Sequence, residues 1–87
     1  MNTIYALIRN GELVEVAPSF NPDDALRHFV WASTRADGGG GEMYAIRCSD
    51  PVAVRIRELT NSTSTRALAL QVAKSLSYSL TKCADVT

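Results

Sequence analysis

The stretch TIYALIRNGELVEV, residues 3–16, decides the fold prediction. Two runs rich in strand-forming residues flank Asn10-Gly11, a dipeptide that readily adopts the positive φ angles of a type I′ turn. The stretch therefore predicts a β-hairpin with a two-residue loop, and that loop fixes the register of the two strands. The facing pairs are then Arg9 with Glu12, Leu7 with Val14, Ile8 with Leu13, and Tyr5 with Val16.

A helix is predicted directly after the hairpin. In the run Asn21-Pro22-Asp23-Asp24, the asparagine can cap a helix, proline suits its first position, and the aspartates complement its dipole. We expect this helix to extend to about Arg35. Its predicted core-facing stripe consists of Leu26, Phe29, Val30 and Ser33.

Three further segments complete the prediction. The glycine run 38–41 predicts a flexible loop, and residues 42–48 alternate as in a strand. Residues 52–59 fit either a strand or a helix, and the preceding Asp-Pro favours a short helix. We expect a longer final helix over 64–82, with an apolar ladder of Leu68, Val72, Leu76 and Leu80.

The predicted fold is a single α+β domain covering residues 1–87, with the order ββαβαα. A three-stranded antiparallel sheet, made of the hairpin and one strand, would be packed by two to three helices on one face. The uncovered face would carry Ile4, Ile8 and Leu13. Because soluble monomers rarely leave a large apolar patch exposed, we expect these residues to form a homodimer seam or part of a partner site. The alternative is that the last helix wraps around to cover this face.

Composition sets limits on function. Of 87 residues 46% are hydrophobic, and nine basic residues balance nine acidic ones, which argues against a disordered chain. The neutral balance also argues against direct electrostatic binding of nucleic acid. The two cysteines make no disulfide framework, and neither a signal peptide nor a membrane span is visible. We therefore expect a cytoplasmic protein with reduced thiols.

No motif for catalysis or metal binding is recognisable. His28 is the single histidine, and a thiol nucleophile with a histidine base would need Cys48 or Cys83 beside it, without any supporting flanking sequence. One histidine and two widely spaced cysteines lack the spacing of a zinc site. The glycine run follows a helix instead of leading into one, unlike a phosphate loop. We expect no enzyme activity, cofactor or metal.

Trp31 is the most informative surface candidate. It lies about 140° around the predicted helix from Leu26, outside the apolar stripe, with Arg27 and Arg35 one turn to either side. Tryptophan and arginine are enriched at binding hot spots. The alternative is that Trp31 packs under a loop or another helix, since a small core recruits aromatic residues.

Charge is unevenly distributed along the chain. Residues 1–42 contain three basic and six acidic residues, whereas residues 43–87 contain six basic and three acidic ones. Arg47, Arg55 and Arg57 form a basic group that could meet an acidic surface or a phosphate backbone. The alternative is an ordinary solvated face.

In size, motif-free surface and helix-plus-sheet layout, the chain resembles small phage-encoded inhibitors such as anti-CRISPR proteins. This resemblance of kind implies a non-enzymatic binding module that occludes or locks a larger protein or ribonucleoprotein complex of the host. Trp31, Arg27 and Arg35 would anchor it. The alternatives are a nucleic-acid-associated regulator that uses Arg47, Arg55 and Arg57, and a small enzyme that uses His28 and a thiol.

Overall fold

A computed structural model describes residues 2–35 and 40–86, and the side chains within these ranges except at positions 33–35. It shows a small α+β fold in which a four-stranded antiparallel sheet is combined with three α-helices. The strands are β1 (Asn2–Arg9), β2 (Glu12–Val16), β3 (Gly41–Cys48) and β4 (Ser79–Val86). The helices are α1 (Pro22–Arg35), α2 (Asp50–Thr60) and α3 (Arg66–Leu76), and a 3₁₀ turn (Thr63–Thr65) precedes α3.

The sheet has the strand order β2-β1-β3-β4, so the expectation of three strands is wrong by one. The predicted final helix ends at Leu76, and the chain returns as β4 along the outer edge of β3. Two of the expected ladder residues, Leu68 and Leu76, are exposed, whereas Ala69 and Ala73 are buried against the sheet. The small alanines let α3 approach the sheet closely, and this contact outweighs the leucine periodicity.

The hairpin turn and the next two helices agree with the sequence prediction. Asn10 and Gly11 have φ angles of 53° and 75°, as a type I′ turn requires. The Asn21 side chain accepts hydrogen bonds from the backbone N–H groups of Asp23 and Asp24 at 2.9 and 3.2 Å. The ambiguous segment 52–59 is helical and lies within α2.

The hairpin register is correct only near the turn. Arg9 pairs with Glu12 and Ile8 with Leu13, as predicted, but an irregularity then places Leu7 opposite Glu15 and Ala6 opposite Val16. Val14 is thus an extra residue in β2, and such a bulge bends and twists its strand. The predicted pairs of Leu7 with Val14 and of Tyr5 with Val16 are therefore wrong.

Helices cover both faces of the sheet, which contradicts the predicted one-sided packing. On one face, α2 and α3 bury the core residues Ile4, Ala6, Leu13, Ile46 and Cys48. On the other face, α1 packs Ala25 and Phe29 against Leu7, Met43 and Val86.

The three residues expected on an open apolar face lie in the core. Ile4 and Leu13 are buried, and the half-buried Ile8 packs against the same cluster. The prediction that Ile4, Ile8 and Leu13 form an exposed interface is therefore wrong. The reason is that α3 ends early enough for α2 and α3 to pair over this face, while α1 occupies the other.

This position of Leu13 is testable. Leu13→Ala should lower the free energy of unfolding by about 2–5 kcal/mol, because it leaves a cavity beneath α2 and α3. Urea unfolding of the variant against the parent protein measures the loss. A loss below about 1 kcal/mol, together with dissociation of a dimer in sedimentation experiments, would contradict the core assignment.

At Gly41, the backbone of β3 lies close to that of β1. Its φ angle is 130°, and a Cβ atom there would lie 2.7 Å from the carbonyl oxygen of Ile8. Gly11 also has a positive φ, but a Cβ atom at that position would meet nothing within 4 Å. Of these two glycines, Gly41 is the one at which an unfavourable backbone conformation is combined with a backbone clash.

Gly41→Ala and Gly11→Ala form a matched pair. Gly11→Ala should cost about 1–2 kcal/mol of stability from the left-handed conformation alone. Gly41→Ala should cost more, because the central pairing of β1 with β3 must shift to relieve the clash. Urea unfolding measures the free energy of unfolding of both variants. An equal or smaller loss of stability in Gly41→Ala than in Gly11→Ala would show that the two strands separate easily.

Candidate functional site

Trp31 lies on the outer face of α1. It is two residues, or about 200° of helical rotation, beyond the buried Phe29, and 59% of its surface is exposed. Arg27, one turn earlier on the same side, is exposed, and its Nη2 lies 2.7 Å from Oδ1 of Asp24. The structure thus places Trp31 at the surface and not in the core.

The other α1 residues fall partly as predicted. Phe29 is buried and Leu26 is half-buried against the sheet, but Val30 is exposed and extends the apolar surface beside Trp31. The side chains of Ser33 and Arg35, and the loop residues 36–39, lie outside the described residues.

The structure does not bring Arg47, Arg55 and Arg57 together. Arg47 lies between Ile46 and Cys48, whose side chains are buried beneath α2 and α3, so alternation along β3 directs Arg47 to the opposite face. Its guanidinium lies 5.4 Å from the centre of the Tyr78 ring. Arg55 and Arg57 both belong to α2, on the other side of the sheet.

Arg55 and Arg57 also differ in their surroundings. Arg55 is exposed and lies 3.5 Å from the Glu58 carboxylate. Arg57 is half-buried, and its guanidinium lies 5.7 Å from the centre of the exposed Phe20 ring. The predicted basic group is therefore divided among three separate environments.

His28 contacts Glu15 of β2. Its Nε2 lies 2.7 Å from Oε1 of Glu15 on β2, while Asp24 is engaged by Arg27. Cys48 is buried on the sheet face opposite α1. Cys83 lies on β4, three strand spacings or about 14 Å from β2. Neither thiol therefore lies where His28 could remove its proton.

Cys48 is protected by its position. Burial raises the pKa of the Cys48 thiol, and the nearby Asp50 carboxylate raises this pKa further. The thiolate is the reactive form, so both effects make Cys48 unreactive at neutral pH. Cys83 is exposed, and its Sγ lies 3.7 Å from the carbonyl oxygen of Thr81.

A polar group spans the surface of β3 and β4. The Lys82 ammonium lies 2.8 Å from Asp85 and 3.5 Å from Glu42, and the Tyr44 hydroxyl donates to Glu42. The Asp85 hydrogen bond raises the pKa of Lys82, whereas burial, followed by Glu42, raises the pKa of Tyr44. These charges satisfy one another, and the group has the character of a surface ion-pair network.

A groove that the sequence did not predict runs beside β2. Its volume is about 560 Å³, and it lies between the edge strand and the corner where α2 leads into α3. Its walls are formed by Val14, Glu15, Val16, Arg57, Thr60, Asn61 and Arg66. Of these residues, only Arg57 is a candidate binding residue in the sequence analysis.

The corner is held by hydrogen bonds from its Ser/Thr-rich segment. The Thr65 hydroxyl donates to the carbonyl oxygen of Leu59 at 2.5 Å, and the buried Thr60 hydroxyl donates to that of Arg57 at 2.9 Å. Arg66 Nε donates weakly to the Thr60 carbonyl oxygen at 3.5 Å. These bonds bring the first residue of α3 back beside the last turn of α2, so that Arg57 and Arg66 line one groove.

The groove carries surplus positive charge. Within residues 2–35 and 40–86, neither Arg57 nor Arg66 lies within 4.0 Å of a carboxylate oxygen. Glu15, the one acidic residue in the groove wall, is engaged by His28. The groove thus combines two half-buried arginines and one glutamate with two valines and an exposed asparagine.

Comparison of the chain with protein-family models, curated proteins and solved structures finds no match. In the part of the chain that the structure describes, no three His, Cys, Asp or Glu side chains are grouped as for a metal ion. No helix among the described residues is long and apolar enough to cross a membrane.

The two thiols provide a test of the site geometry. In the native protein at pH 8, an aromatic disulfide reagent should modify Cys83 at least about 100-fold faster than Cys48, because Cys48 must wait for an opening that costs several kcal/mol. Following the release of the reagent's chromophore measures both rates. In Cys83→Ser the fast phase should disappear, and two thiols of equal rate in the parent protein would contradict the burial of Cys48.

Proposed function

We propose that this chain is a non-enzymatic, cytoplasmic protein-binding module that occludes or locks a larger partner, with Trp31 as its anchor. The observation that carries the proposal is the 59% exposure of Trp31 on the outer face of α1, opposite the buried Phe29. A tryptophan with most of its surface exposed forgoes much of the free energy that burial of its indole would give. An interface that buries the indole recovers that gain.

The neighbours of Trp31 suit such an anchor. Val30 adds apolar area, and Arg27 supplies a flexible guanidinium one turn away whose present contact with Asp24 is an exposed ion pair of small net value. Hot spots combine an aromatic or arginine centre with surrounding contacts that exclude water. The occluding mode of action rests on the resemblance in kind to small phage-encoded inhibitors.

The two other function classes have less support. A nucleic-acid regulator built on Arg47, Arg55 and Arg57 would need these residues on one surface, and they lie on two sides of the sheet. A thiol enzyme would need His28 beside a cysteine, and Glu15 occupies that position.

Trp31→Ala separates binding from stability. We expect its free energy of unfolding to change by less than about 1 kcal/mol, because the side chain is exposed, in contrast to about 3–5 kcal/mol for a core tryptophan. Affinity capture from the producing cells, followed by titration of the purified partner, should show binding weakened by about 2 kcal/mol or more.

Leu76→Ala is the matched control. Leu76 is 61% exposed but lies on α3, across the sheet from α1, so this variant should retain the same partner and affinity. Equal capture and equal affinity for Trp31→Ala and Leu76→Ala would refute the anchor role. A large loss of stability in Trp31→Ala would remove Trp31 from the site.

A further inference from the structure

We propose that the groove beside β2 binds a short acidic peptide segment in extended conformation, with a carboxylate held between Arg57 and Arg66. This site uses residues on a different surface from the Trp31 anchor and does not depend on that anchor. Either proposal can therefore fail without the other.

The shape of the groove points to an extended ligand. Three consecutive residues of β2, Val14 to Val16, line it. Val14 and Val16 pack against core clusters on opposite faces of the sheet, so a cavity that borders both of them lies along the outer edge of the strand. β2 is an edge strand with β1 on one side only. Its outer edge therefore offers backbone donors and acceptors to the groove.

An edge of this kind is suited to strand addition by a short segment. A strand edge presents both N–H and C=O groups, and an added peptide strand pairs with both. The open part covers three residues, or about 10 Å, and the bulge at Val14 interrupts longer pairing. The expected ligand thus contributes about three residues to the contact.

The charge of the opposite wall selects an acidic side chain. Arg57 and Arg66 are half-buried and, among the described residues, unpaired with carboxylates. Guanidinium groups match carboxylates in planar geometry, and such charge-assisted hydrogen bonds are the stronger class. Val14 and Val16 offer apolar contact to the residues on either side of the carboxylate. The contact with His28 directs the Glu15 carboxylate towards α1, so the groove wall presents two arginines against one carboxylate.

A peptide fits this groove better than an inorganic anion. Phosphate sites are built from donors alone, typically backbone N–H groups at glycine loops or helix N-termini. Here the wall formed by β2 presents acceptors as well as donors, together with two valines. Only a ligand with its own backbone N–H groups and apolar side chains uses all of these features.

The test compares acidic and neutral peptides on the full chain. The probes are acetyl-Thr-Val-Glu-Val-Thr-amide and two isomers with glutamate moved by one position, each beside its glutamine counterpart. Titration into ¹⁵N-labelled protein should give saturable shifts of the backbone amides of residues 14–16 with at least one acidic probe. Its glutamine counterpart should bind about tenfold or more weakly.

Substitutions assign the recognition to the two arginines. Arg57→Gln and Arg66→Gln should each weaken binding of the acidic probe about tenfold or more, whereas Arg55→Gln, on an exposed residue of the same helix, should leave it unchanged. Trp31→Ala should also leave it unchanged, which distinguishes this site from the proposed anchor. If a glutamine variant folds poorly, the comparison of acidic and neutral peptides on the parent protein still tests whether the groove selects a carboxylate.

Three results would overturn the proposal. The first is equal binding of acidic and neutral peptides. The second is the absence of saturable shifts at residues 14–16 with every acidic probe. The third is full displacement of the acidic probe by an equal concentration of inorganic phosphate, which would identify a simple anion site.

Discussion

The pairing of β1 with β3 is the constraint on which the rest of the structure depends. These two strands occupy the centre of the sheet, and their side chains are buried on both faces. Ile4 and Ile46 face α2 and α3, whereas Leu7 and Met43 face α1. Since neither face of the centre can remain in water, helices must cover both. The two outer strands, β2 and β4, then become the edges at which ligands and charge networks can lie.

Local sequence signals predicted the elements that local chemistry controls. Asn10-Gly11 specifies its turn because both residues tolerate positive φ, and Asn21 specifies a helix start because its side chain caps the first N–H groups. The bulge at Val14 has no such local signal, since it depends on how β2 fits between β1 and the helices. β4 is not predicted because Leu80 continues the spacing of Leu68, Val72 and Leu76, whereas in the structure this segment pairs with the outer edge of β3.

The Trp31 surface and the groove beside β2 also differ in how far the local sequence predicts them. Counting residues around one helix places Trp31 outside the apolar stripe, and its exposure agrees with that count, but the count alone left open that Trp31 packs under a loop or another helix. The groove is assembled from β2, the end of α2 and the start of α3, elements that are about 40 to 50 residues apart in the chain. Nothing in the sequence near Arg57 or Arg66 indicates that the two residues share a cavity. Only the tertiary fold, and the hydrogen bonds of Thr60 and Thr65 at the corner, brings them together.

A net charge of zero does not imply a neutral surface, because pairing decides where the charge remains. Among the described residues, ion pairs hold four acidic side chains: Asp24 with Arg27, Glu58 with Arg55, and Glu42 and Asp85 with Lys82. Glu15 lies 2.7 Å from the imidazole of His28. Asp50 accepts a hydrogen bond from Asn2 near the opposite end of β1. Arg57 and Arg66 have no carboxylate within 4.0 Å among the described residues, and both residues are half-buried, where salt and water screen their charge less than on an open surface. Composition argues against a large basic surface, but only the arrangement of pairs reveals a small one.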